Sequence, residues 1–394
     1  MRDVSSESMS RPLPLSGIRV VDFTRVLAGP YATMMMADFG ADVIKIESPV
    51  GDETRAWSPP KAADGSSTYF SGVNRNKRSL VLDLTAPDDL AKARNLVTSA
   101  DVVMENFRPG VMAKFGLDLE SVAAVNPDIV YCSLTGFGSG AGKDLAGYDL
   151  LIQAMGGLMS ITGSPEGEPT KAGVALVDVI SGLNAFSGVL LALRTRDAAA
   201  AAGNEPTHQL LEIDLLTSLL AALSNQASAV LNTGVDPKRM GNAHPSISPY
   251  ALYQAADRPI VIAVGSDRHF ALLVEQLGNA GLAMDARFVT NADRVANREA
   301  LTTELETLLA ARPAAEWVAD LAGAGLPVGP VNSISEAFDL AEQLGLEPSV
   351  SLERDGKPVR SVANPIHLPE SPAQYLLPPP YLGEHPEANW KEDK

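Results

Sequence analysis

The chain has 394 residues, about two to three times the usual single-domain length, so two domains are expected. Apolar residues make up 45% and charged residues 20%, which excludes a disordered chain and fits a large core. Lys and Arg number 31 against 48 Asp and Glu, a net charge of −17 that repels nucleic acid and anionic membrane; an anionic ligand needs a local basic patch.

The N-terminal Met1-Arg-Asp-Val-Ser-Ser-Glu-Ser carries acids and no apolar stretch, which reads as no signal peptide. No run reaches ~18 uninterrupted apolar residues, so no membrane partner is expected and the expected location is cytoplasmic. Ile18–Phe23 reads as a strand. Gly29-Pro30 opens a helix through Phe39, since proline suits the first turn, and Gly40 ends it. Strands follow at Asp42–Glu47, Ser79–Leu84, Asp101–Glu105 and Ile129–Leu134, with helices near 87–98 and 118–125. This alternation implies a mostly parallel sheet wrapped by helices, an α/β fold. Asp149–Met159 and Val179–Arg194 have helical spacing. The small residues 197–204 read as a loop or frayed helix end, followed by a strand at Gln209–Asp214 and a helix to about Asn232. A smaller α/β block starts near 237, with a strand at Pro259–Val264 and helices at 267–277, 295–311 and 314–324. A helix near 335–344 precedes a hairpin around Asp355-Gly356. The expected divisions are 1–225, 226–335 and a C-terminal segment 336–394.

Gly136-Phe-Gly-Ser-Gly-Ala141 fits G-x-G-x-x-A after a strand, but Gly142–Gly147 is a poor helix start, so a loop over a ligand or a surface turn is the reading. No Walker loop, G-x-S-x-G or H-E-x-x-H motif occurs. Cys132 is the one cysteine and reads as a buried thiol, and the five histidines share no ligand spacing, so no metal is expected. Asn74-Arg-Asn-Lys-Arg-Ser79 packs three cations before a strand, either a phosphate-neutralising cluster or a solvated turn. Phe107-Arg-Pro-Gly110 lies just past a strand end, where open α/β sheets bind ligands. Asp178 sits among apolar and small residues at the head of a helix. Its carboxylate could cap that helix or, partly desolvated, attack an acyl carbonyl.

These residues resemble the class III CoA-transferases, the family of formyl-CoA transferase, carnitine CoA-transferase and α-methylacyl-CoA racemase. The resemblance is carried by Leu15-Ser-Gly-Ile-Arg-Val-Val-Asp-Phe-Thr-Arg-Val-Leu-Ala-Gly-Pro30, Gly40–Glu47, Asn76–Ser79, Glu105–Gly110, Gly147-Tyr-Asp149, the Asp178 segment, Gly241–Tyr250, Gly329-Pro-Val331 and Leu382–His385. It implies a Rossmann-like large domain and a small α/β domain in an interlocked homodimer, with coenzyme A as co-substrate. Asp178 matches the family's nucleophilic aspartate, which passes the acyl group through mixed anhydrides and an aspartyl-CoA thioester. Leu27 and Ala28 fall where the family's backbone meets the pantetheine. Leu82, Asp83, Leu84 and Thr85 match an adenine-side segment, and Asn106, Phe107 and Arg108 match a pocket after a strand. Lys114 replaces a family arginine near the phosphates, and Ala146, Gly147, Tyr148 and Asp149 match the lip of the site.

Leu27 stands where formyl-CoA transferase has glutamine and Ser48 where it has a basic residue, and its glycine-run loop has no counterpart between Asn242 and Ile260. These departures favour a dicarboxylate such as succinate or a homologue over formyl or oxalyl groups. The racemase reading needs a histidine where Tyr148 stands, and a tyrosine of ordinary pKa near 10 is a poor proton carrier at neutral pH. A third alternative is a CoA-binding protein without turnover. Arg239, His244 and Tyr250 could face the acid or be structural.

Overall fold

The computed structural model describes residues 12–391, so the reading of Met1–Ser8 lies outside the described residues. Strands β1 (Arg19–Asp22), β2 (Asp42–Glu47), β3 (Arg78–Val81), β4 (Val102–Glu105), β5 (Val130–Thr135) and β6 (Gln209–Asp214) form one sheet. Its order is β3-β2-β1-β4-β5-β6, with every pairing parallel. A parallel sheet is covered on both faces, which is why these strands read as nearly continuous apolar runs. Val20, Met104 and Cys132 belong to the core under helices Ala28–Asp38 and Leu176–Ala201. Their neighbours Val21, Val103 and Tyr131 belong to the opposite core, with Ala93, Leu96 and Val97 of helix Pro87–Val97.

Helix Leu176–Ala201 is long and apolar enough, by length and composition alone, to cross a membrane. In the fold, Val177, Ser181, Ala185, Val189 and Leu193 recur every fourth residue as its buried stripe. Gly182 allows close approach to helix Ala28–Asp38, since a Cβ there would lie 2.6 Å from the Ala28 carbonyl oxygen. The helix continues through Ala201, so of the two readings of 197–204 the helix end holds and the loop does not; alanine has the highest helix propensity and no turn residue intervenes before Gly203. The single helix expected after β6 is two, Leu215–Ala222 and Ser224–Thr233, with Ser224 at φ 45° between them. Gly157 at φ 89° likewise divides Asp149–Met155 from Leu158–Ile161.

The cationic cluster at 75–78 is neither a solvated turn nor free for phosphates. Arg75 pairs with Asp38 at 2.6 Å, Lys77 with Asp22 at 3.1 Å and Arg78 with Asp42 at 2.7 Å. Lys77 is fully buried and also donates to the Pro30 carbonyl and Asn74 Oδ1. Burial pulls its ammonium down to about 8 against the attraction of Asp22. These cations balance acids on β1, on β2 and in the first helix, a structural role because a buried charge needs a partner.

The chain divides into two compact units. The larger takes the described residues up to Gly156, then Ala172–Thr233, and those from Glu347 onward. It ends with the antiparallel hairpin β10 (Ser349–Arg354) and β11 (Lys357–Val362), turned at Asp355-Gly356 with φ of 51° and 72°. Beyond it the chain returns to edge strand β3. Gly383 N donates to Ser79 Oγ, His385 N donates to the Ser79 carbonyl and Ser79 N donates to His385 Nδ1. The smaller unit, Gly157–Lys171 with Gly234–Leu346, holds the antiparallel sheet β7 (Tyr250–Gln254), β8 (Pro259–Ala263) and β9 (Val328–Pro330). Phe270, Leu273, Phe288, Leu305, Trp317 and Leu321 fill its core.

Candidate active site

A cleft of about 960 Å³ opens in the larger unit, lined by the loops after β1, β4 and β5. The order of the sheet reverses between β1 and β4, and ligands of open α/β sheets bind outside the carboxyl ends of strands at such a point. The first two loops are tied together: Arg25 N donates to Asn106 Oδ1 at 2.9 Å, and Asn106 Nδ2 donates back to the Arg25 carbonyl at 2.8 Å. Glu105, the last residue of β4, accepts from Phe107 N at 2.8 Å and from the Ser133 hydroxyl of β5. Burial raises the Glu105 carboxyl, partly offset by those two donors.

The third wall is the loop between β5 and helix Asp149–Met155. It closes on itself where Gly136 and Gly147 cross: a Cβ on Gly136 would lie 2.3 Å from the Gly147 Cα. Only two glycines permit that contact. The crossing brings Gly138, Gly142, Lys143 and Ala146 to the cleft.

Asp178 lies half-buried at the same cleft, in the first turn of helix Leu176–Ala201. It does not cap that helix. Asp149 does so from outside, its Oδ1 accepting from Val177 N at 2.8 Å and Asp178 N at 3.3 Å while Oδ2 accepts from Gln153 Nε2 at 2.6 Å. The Asp178 carboxyl accepts no hydrogen bond among the described residues. Burial, with repulsion from Asp149 second, pushes it up to about 7. A desolvated carboxylate without donors is a stronger nucleophile than a hydrated one.

A second pocket of about 830 Å³ shares Arg25 and Phe107 with the first, the guanidinium lying 4.8 Å from the Phe107 ring centre. Phe23, Ile46, Leu82, Leu84, Val111 and Phe115 make it largely apolar, and Asp83 and Thr85 sit at its rim. Leu27, Ala28, Asn106, Phe107, Arg108, Ala146, Gly147, Tyr148, Asp149 and Asp178 all line the first cleft. Lys114 is exposed on the short helix Met112–Phe115, outside the lining of both pockets. Sequence reasoning missed Arg25 and Lys143, cations at the cleft with no carboxylate partner among the described residues. Arg25 stood unnoticed inside the quoted Leu15–Pro30 run, and Lys143 gives no signal outside its loop. Arg239, His244 and Tyr250 lie in the smaller unit. There Arg239 donates to the Ser164 and Gly167 carbonyls, and the His244 ring tilts against Tyr250.

The fold and cleft define an α/β protein with a ligand site at the switch point of its sheet and a donor-free carboxyl beside it, and comparison gives the class. The model of CoA-transferase family III matches residues 15–386. The chain is 43% identical over 385 residues to the succinate–glutarate CoA-transferase of Agrobacterium fabrum, covering 95% of this chain and 94% of that one. It is 40% identical to the acetyl-CoA:oxalate CoA-transferase of Acetobacter aceti, over 84% of this chain and 83% of that one. The crystal structure of a CAIB/BAIF family protein from Brucella suis superposes with a TM-score of 0.85 at 40% identity, covering 95% and 98% of the two chains. The chain belongs to CoA-transferase family III and is a CoA-transferase.

Proposed function

We propose that the enzyme moves CoA from a dicarboxylic acyl-CoA such as succinyl-CoA to a free dicarboxylic acid of about five carbons, with Asp178 as nucleophile. The observation that carries this reading is the Asp178 carboxyl, free of donors, at a cleft lined by backbone-rich loops. Its oxygen attacks the donor thioester carbonyl, and the carbon–sulfur bond breaks to give a mixed anhydride and CoA thiolate. The thiolate then attacks the aspartyl carbonyl, giving an aspartyl-CoA thioester and releasing the donor acid. The acceptor carboxylate attacks that thioester, forming a second anhydride, and the returning thiolate takes the acceptor acyl group and frees Asp178. No proton or hydride is exchanged and no net bond energy is lost, so exclusion of water is the main demand on the site.

The two pockets, which share Arg25 and Phe107, support a CoA thioester by their lining. The apolar one, with Phe107, Leu82 and Leu84, suits an adenine ring, and Arg25, Arg108 and Lys143 offer charge for phosphates against a net −17. Strand order 3-2-1-4-5-6 supports a Rossmann-like reading of the larger unit. The exposed Leu150, Leu151, Met155, Leu183, Leu191 and Leu231 support burial in an interlocked homodimer. The acid is the open choice between the relatives' names, and Leu27 and Ser48 favour the longer dicarboxylate. Incubation with succinyl-CoA and a panel of glutarate, mesaconate, oxalate and monocarboxylates, followed by mass spectrometry of the thioesters, is expected to give glutaryl-CoA as main product. Asp178→Ala is expected to abolish exchange, and hydroxylamine is expected to trap an adduct at Asp178. Exchange that persists in Asp178→Ala would remove the mechanism.

A further inference from the structure

Val26 has φ of 70°, a conformation that β-branched residues almost never adopt. It lies in the loop between β1 and the first helix, one residue before Leu27, and it lines the same cleft as Asp178. Something must hold it there.

The holding groups are a buried ion pair. Lys45 Nζ and Asp52 Oδ2 are 3.1 Å apart with both side chains fully buried. Lys45 also donates to the Thr24 carbonyl at 2.7 Å, and Asp52 accepts from Val26 N at 3.2 Å. The pair thus grips the loop on both sides of Arg25, by a carbonyl before it and an N–H after it. Asp52 is itself fixed by donors from Thr54 N and Oγ1, and its own N–H donates to Glu47. Lys45 is fully buried on β2, where its charge also attracts the buried Asp22 and Glu47 carboxylates, and its hydrogen bond goes to the loop. Past the strained residue, the N–H groups of Leu27 and Ala28 donate to nothing among the described residues, and both residues line the cleft.

We propose that Asp52 and Lys45 are positioning residues for the transfer reaction, a clamp that forces Val26 into the left-handed conformation and so sets the free backbone N–H edge of Leu27–Ala28 beside Asp178. The proposal rests on reading the Asp178 cleft as the reaction site. Its energetic logic is that strain stored in the loop is opposed by the pair, so the N–H edge is preorganised before substrate arrives.

The test uses the full-length enzyme and two readouts. Asp52→Ala is expected to lower kcat by about 100-fold with KM for the CoA thioester within about threefold, the signature of lost alignment. Hydrogen exchange at the Val26 amide, read by mass spectrometry of the peptide spanning 23–28, is expected to accelerate at least about tenfold as its acceptor is removed. Because Asp52→Ala leaves the Lys45 ammonium with only the more distant attraction of Asp22 and Glu47, Lys45→Met/Asp52→Ala is the second variant; it removes both charges of the pair and is expected to behave alike. Glycine adopts positive φ freely, so adding Val26→Gly to Asp52→Ala is expected to recover at least about tenfold of the lost kcat. Asp52 also borders the apolar pocket, and a direct contact with ligand would not be rescued in this way. Unchanged exchange, kcat within about threefold of wild type, or failure of the Val26→Gly rescue would each overturn the clamp. Should the wild type exchange CoA with no acid, the functional reading falls, while the amide exchange still decides the clamp.

Discussion

The role proposed for Asp178 sets activity against stability. Its carboxyl ordinarily ionises near 4 and is held at about 7 here by burial and then by Asp149. The folded state therefore keeps its proton where the unfolded chain has lost it, so stability contributed below pH 4 drains away as pH rises toward 7. Asp178→Asn is expected to stabilise the protein by about 2 kcal/mol at pH 8 and by little at pH 4, measured by denaturant unfolding. The proposed nucleophilic role needs the ionised form, so kcat/KM of the wild type is expected to rise through about pH 7 and level off above it. The cations divide in the same way. Arg108→Gln is expected to raise KM for the CoA thioester about tenfold, as a charge-assisted contact is lost. Arg75→Met is expected to cost about 3–5 kcal/mol of stability by leaving Asp38 buried and unpaired, with KM unchanged in the protein that remains folded. Sequence alone set Arg75, Lys77 and Arg78 as equal candidates with Arg108. Their acids, Asp38, Asp22 and Asp42, lie 36 to 55 residues away along the chain, and only the fold brings them together.

Among the elements, the strands of the six-stranded sheet were legible, while β7, β9 and the breaks were not. β2 falls on the bounds its apolar run predicts, because a strand covered on both faces leaves a pattern no loop imitates, and edge strand β6 falls on its predicted bounds with alternate positions exposed. The divisions at Gly157 and Ser224 turn on single left-handed residues, and a serine at φ 45° has no local signature. The closed loop after β5 was legible only as glycine-rich; the crossing of Gly136 over Gly147 depends on where the chain returns. Gly147→Ala is expected to push that crossing apart, raising KM for the CoA thioester at least about tenfold and lowering stability by about 1–3 kcal/mol. Steady-state kinetics alongside thermal unfolding checks both. Gly182→Ala, whose Cβ would meet the Ala28 carbonyl, is expected to cost a similar amount and to lower kcat by shifting Asp178 relative to Leu27.

For the whole molecule, the alternating pattern and the motif order pointed to an α/β chain of two units, while assembly left no trace in periodicity. Sedimentation velocity is expected to give a dimer; a monomer at micromolar concentration would remove the interlocked arrangement from the proposal. The return of the chain to β3 has a further consequence. The edge strand completes its hydrogen bonding only with residues 304 to 306 positions later in the chain. A ribosome adding about 5–20 residues per second leaves that strand uncovered for roughly 15–60 s. Throughout that interval the nascent polypeptide offers an open sheet border to its neighbours on the polysome, and chaperone occupancy during synthesis is the natural remedy.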